Sequence, residues 1–107
     1  MGILTWNSIR TVEIEDRALA HLRSVAFSKL RRGESFSFSW ENPVERGSGR
    51  NSLWFSPDIP IVFEFFSGRE VRLNPLWIRE LTKAANSPGG LVLVPEPGAD
   101  DEPADRG

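Results

Sequence analysis

A chain of 107 residues, 39% hydrophobic, 26% charged and 10% aromatic, with a formal charge of -2, has the size and composition of one globular domain. No apolar run approaches the ~18–20 residues of a membrane span. The absence of Cys removes disulfides, thiolate metal sites and cysteine nucleophiles together. The opening residues Ile3, Leu4, Thr5, Trp6 and Asn7 form no leader with an apolar centre, so the expected location is cytoplasmic.

Gly2 to Trp6 and Arg10 to Glu15 read as two strands joined by Asn7 and Ser8, with Val12 and Ile14 alternating against Thr11, Glu13 and Glu15. Asp16 stands where a helix cap belongs. Leu19, Leu22, Val25, Ala26 and Leu30 then recur at three- and four-residue spacing, predicting an amphipathic helix over Arg17 to Arg32. Lys29, Arg31 and Arg32 complement the negative end of its dipole, and Gly33 supplies a left-handed stop.

Ser35, Ser37 and Ser39 alternate with Phe36, Phe38 and Trp40, the period of a half-buried strand. A loop over Asn42 to Gly49 follows. Arg50 to Ser56 and Ile61 to Phe66 are expected as strands on either side of a turn at Pro57 to Pro60, with a further short strand over Val71 to Leu73. Asn74 and Pro75 open a second helix carrying Leu76, Trp77, Leu81 and Ala84, which ends at Asn86 to Gly90. Leu91 to Val94 is an apolar run closed by Pro95, as in a buried last strand.

Two amphipathic helices must cover a sheet, so the expected fold is a two-layer α+β sandwich: an antiparallel meander of about five to seven strands with both helices on one face. The expected body is residues 1–95. Residues 96–107 hold Glu96, Asp100, Asp101, Glu102 and Asp105 against Arg106, with only two alanines as apolar side chains, and read as a disordered acidic tail. The tail has the charge to compete with an external anion for basic side chains of the body, which carries 12 bases and 10 acids.

Parity divides the sheet. If Phe36, Phe38, Trp40, Leu53, Phe55, Phe63 and Phe65 face the helices, the other side carries Ser35, Ser37, Ser39, Arg50, Ser52, Trp54, Val62, Glu64 and Phe66. A hydroxyl-rich face bearing exposed aromatics marks a contact surface, so Trp54, Val62, Phe66, Ser37 and Ser39 are the candidate residues for a protein partner or a second copy of the chain. The alternative is nucleic-acid binding by Arg31, Arg32, Arg46 and Arg50, helped by the 11 arginines against 2 lysines. Acids at Glu34, Glu41 and Glu45 lie among them.

Catalytic patterns are absent from the motifs. His21 is the single histidine and lies beside the helix's apolar stripe; Glu13, Glu15 and Asp16 read as polar-face residues and a cap. No Gly-x-Ser-x-Gly elbow surrounds Ser35, Ser37 or Ser39, and Gly47, Ser48 and Gly49 lack the Gly-Lys-Ser/Thr end of a phosphate loop. Neither a metal, a cofactor nor an enzymatic activity is therefore expected.

The segments HLRSVAFSKLRRGESFSFSW, SLWFSPDIPIVFEF, LNPLWIRELTKAANSPGGLVLVPEP and GILTWNSIRTVEIEDRALAHL resemble a family of small actinobacterial and actinophage proteins of unknown function. The resemblance spans Met1 to Pro97 and is most specific in LRRGESF and ANSPGGL. Members often carry the automatic label ATP-dependent DNA ligase. Such ligases adenylate the lysine of a Lys-x-Asp-Gly motif, whereas Lys29 precedes Leu30-Arg31-Arg32 and Lys83 precedes Ala84-Ala85-Asn86. The label therefore implies at most an accessory module.

Overall fold

The computed structural model describes residues 1–41 and 49–98. The chain folds as β1 (Gly2–Trp6), β2 (Arg10–Ile14), α1 (Asp16–Arg31), β3 (Phe36–Glu41), β4 (Arg50–Phe55), β5 (Ile61–Phe65), α2 (Pro75–Ala85) and β6 (Leu91–Val92). This is an α+β fold, as expected from the helical and period-two patterns. The expected glycine-rich loop, with Arg46, Gly47 and Ser48, and the acidic run from Asp100 onward lie outside the described residues.

The strands differ from a single meander. They form two three-stranded sheets, ordered β2-β1-β5 and β4-β3-β6. After β4 the chain turns through an Ile59 N–H to Ser56 carbonyl bond, and β5 pairs with β1 rather than with β4, placing Leu4 opposite Phe63. The Pro60 carbonyl then accepts from Asn7 N–H in the β1–β2 turn, where Asn7 and Ser8 both have positive φ. That is the backbone twist a tight hairpin favours. β6 runs parallel to β3, with Leu91 beside Phe38, because α2 returns the chain to the same end of the sheet. The expected strand over Val71 to Leu73 is irregular, and the Arg72 carbonyl accepts from the Arg17 guanidinium instead of a neighbouring strand.

Each helix has a local cause. At the start of α1 the cap position is Glu15, without a side-chain bond, while Asp16 enters the first turn and accepts from Ser67 N–H. Asp16 thus tethers the turn after β5 rather than capping its own helix. At the other end Gly33 has φ +77°, and Gly33 and Glu34 donate to the carbonyls of Leu30 and Lys29. A glycine meets the left-handed geometry without the Cβ penalty. In α2, Asn74 Oδ1 accepts from Leu76 N–H at 2.9 Å and Pro75 occupies the first turn, so both expected start signals operate.

The core lies where the helices meet the inner sides of the sheets. Leu4, Leu19, Leu22, Phe38, Phe55, Leu81 and Leu91 are fully buried. Phe38 packs against Phe55 and Trp40, joining β3 and β4 through aromatic contacts. The sheets are also tied directly: Trp6 Nε1 donates to the Trp54 carbonyl at 2.9 Å, and Arg10 donates to Asn51 Oδ1 while lying over Trp40.

Candidate functional site

The outer side of β3 and β4 follows the alternation read from the sequence. Ser37 pairs with Trp54 and Ser39 with Ser52, and Val92 of β6 lies beside Ser39. The Ser39 and Ser52 hydroxyls bond to each other at 2.7 Å, satisfying both without a catalytic base. Trp54 is 54% exposed and Val92 46% exposed, so two apolar side chains stand diagonally across a floor of serines. The backbone under Trp54 is held by the Trp6 indole. At one end the floor opens into a hollow of about 560 Å³ lined by Ser39, Ser52, Val92, Glu41 and Arg50.

The five expected contact residues divide between the sheets. Ser37, Ser39 and Trp54 lie together on β3 and β4. Val62 is exposed on β5, opposite Thr5 of β1, and Phe66 is exposed just beyond that strand. The alternation identified the face of each residue but not its neighbouring strand. Val92 joins the Trp54 surface only because β6 pairs in parallel, a contact no spacing in the sequence announces.

The basic candidates have separate fates. Arg32 donates from Nε to Glu34 Oε2 at 3.2 Å. Lys29 is 4% exposed and donates to both Glu34 and Asn86, tying the ends of α1 and α2 together. Hydrogen bonds from Arg32, then Lys29, hold the Glu34 carboxyl below its usual range. Arg50 faces Glu41 across β3 and β4, and Arg46 lies outside the described residues. Arg31 is different: it lines a groove of about 660 Å³ between α1, β5 and the connection to α2. Arg23 and Arg69 line it too, over Phe27, Phe63 and Phe65.

The spacing of Arg23, Phe27 and Arg31 on α1 is a visible signal for that groove, since residues four apart share a helix face. Arg69 has no such signal. The Arg23 guanidinium lies 4.7 Å from the centre of Phe27, which meets Phe63 edge-on at 5.4 Å. Among the described residues, Arg23, Arg31 and Arg69 form no ion pair.

His21 is fully buried and committed to structure. Its Nε2 accepts from Asn74 N–H at 2.8 Å, so Nδ1 donates to the Arg17 carbonyl at 2.7 Å, and the ring lies 4.5 Å from Trp77. Glu13 is exposed on β2, and Glu15 is exposed at the start of α1. Among the described residues, no three His, Asp or Glu side chains group as a metal ion requires.

Glu96, assigned by composition to the tail, is anchored. Arg17 donates to it twice, at 2.8 and 2.7 Å, and Asn74 Nδ2 donates at 2.9 Å. These bonds, from Arg17 first and Asn74 second, hold the Glu96 carboxyl at about 2, and the same pairing raises the Arg17 guanidinium. A carboxyl depressed on folding stabilises fully above its ordinary value near 4.5 and loses that contribution as pH falls toward 2. The stability difference between the parent and Glu96→Gln, measured by thermal melts, is therefore expected to narrow across that window. A difference independent of pH would assign Glu96 no electrostatic role.

No described helix is long and apolar enough to cross a membrane. The family model described as Domain of unknown function (DUF7882) matches residues 1–96. Neither a curated protein nor a solved structure matches the chain.

Proposed function

The chain belongs to the DUF7882 family, and we propose that this member is a non-enzymatic protein-binding module whose contact surface centres on Trp54. The carrying observation is a half-exposed indole on a paired strand, beside exposed Val92 and a floor of small hydroxyl side chains. A large aromatic side chain with firm backbone support gains contact area while giving up little conformational freedom, as binding hot spots do. Val62 and Phe66 extend the apolar surface of the other sheet and are assigned to the same role.

The alternative is an accessory nucleic-acid-binding domain. Arg31 supports it through its place beside Arg23 and Arg69, whereas the engagement of Arg32 with Glu34 weakens it. Cation contacts with a phosphate backbone would make such binding fall steeply with salt.

The test is capture from an extract of the native host by the full chain, with and without nuclease, comparing the parent with Trp54→Ser and Val92→Ser. The expected result is one protein retained in both extracts by the parent and lost with either variant, while the folding stability stays within about 0.5 kcal/mol of the parent. Equal retention by both variants would overturn the surface assignment. Capture abolished by nuclease would transfer the function to the arginines.

A further inference from the structure

The groove along α1 is suited to an anionic chain. Arg23, Arg31 and Arg69 bring three guanidinium groups to it against the single carboxylate of Glu70, over a floor of phenylalanines. We propose that it is the docking site of this chain's own acidic segment, Asp100 to Asp105.

Three observations select that occupant. The first is charge: Asp100, Asp101, Glu102 and Asp105 complement three arginines that have no ion-pair partner among the described residues. The second is position. Asn74 Nδ2 donates to both Glu96 and the Pro97 carbonyl, so the described chain stops beside the residue that follows Leu73, a lining residue of the groove. The third is reach. Ala20 to Arg31 spans roughly 16 Å along α1, and residues 99–105 can extend roughly 23 Å. Ala99, Pro103 and Ala104 supply small apolar groups that can lie on the Phe27, Phe63 and Phe65 floor between the carboxylates.

The segment then acts as a built-in competitor. An external acidic peptide must displace it, and the local concentration of a tethered segment is high when the linker matches the span. Screening by salt weakens the tether, because exposed charges hold it.

The chain has no Cys, so Ala104→Cys places a unique nitroxide label on the full-length protein. Amide relaxation is expected to be enhanced most strongly at Ser24, Phe27 and Arg31. The enhancement should disappear at 1 M salt, where the Debye length is about 3 Å. It should also disappear when Asp100, Asp101 and Asp105 become Asn and Glu102 becomes Gln, changes that leave residues 1–98 untouched. The variant Arg23→Ser/Arg31→Ser/Arg69→Ser should abolish the enhancement as well, and enhancement that survives it would overturn the proposal. Enhancement that is absent, evenly spread, or unaffected by tail neutralisation would overturn the proposal. So would enhancement on isotope-labelled chains mixed with unlabelled, spin-labelled ones, which would identify a second copy as the source.

Discussion

Replacing His21 by alanine is expected to destabilise the fold by about 3 kcal/mol, lowering the thermal midpoint by on the order of 15 °C. The ring is fully buried, lies against Trp77, and engages Asn74 N–H and the Arg17 carbonyl through its two nitrogens. Alanine leaves a cavity and removes the acceptor of the Asn74 N–H, while the Arg17 carbonyl retains its place in the hydrogen-bond ladder of α1. His21→Phe separates these effects, since it retains an aromatic ring near Trp77 but cannot accept from Asn74. Its loss should fall between parent and alanine, by about 1–3 kcal/mol relative to the parent. Chemical denaturation checks both variants; an alanine variant within 1 kcal/mol of the parent would remove His21 from the set of interactions joining α1 to the start of α2.

Gly90→Val is expected to cost roughly 3 kcal/mol or more and to reduce soluble yield, for reasons of backbone as well as space. Gly90 has φ +81°, a region that strains a β-branched residue. A Cβ there would also meet the Ser37 side chain and lie 3.0 Å from the Ser37 carbonyl oxygen. Ser37→Gly removes the obstructing side chain but not the carbonyl or the positive φ. The double variant should therefore recover part of the loss. Additive effects of the two substitutions would show that the valine does not press on Ser37.

Local structure was legible because its causes are local. Asn74-Pro75 and Gly33 punctuate the helices, and the alternation from Ser35 to Trp40 sorts buried from exposed side chains. Strand neighbours were not legible: the same alternation serves Ile61 to Phe65 whether it pairs with β4 or β1. Lys29 carried an unread signal. It follows Leu22, Val25 and Ala26 at helical spacing, which places it on the apolar stripe, whereas its charge points to a role at the negative end of the helix dipole. The amine instead meets Glu34, from the same turn, and Asn86, 57 residues away, and only the fold brings that second partner close. The Trp54 surface was half legible. Its parity appeared in the sequence, whereas its separation from Val62 and its union with Val92 are properties of the tertiary arrangement.

The parallel pairing of β6 with β3 gives the molecule a definite order of completion. Fifty-three positions separate Phe38 from Leu91, its neighbour in the sheet, and the whole of β4, β5 and α2 intervenes. During synthesis β3 can pair with β4 first, leaving its other edge without a strand until α2 and the two residues of β6 have emerged. An unpaired strand edge is a point at which nascent chains associate with one another. The packing of α2 is thus what brings a strand to this edge, at Phe38 and Ser39.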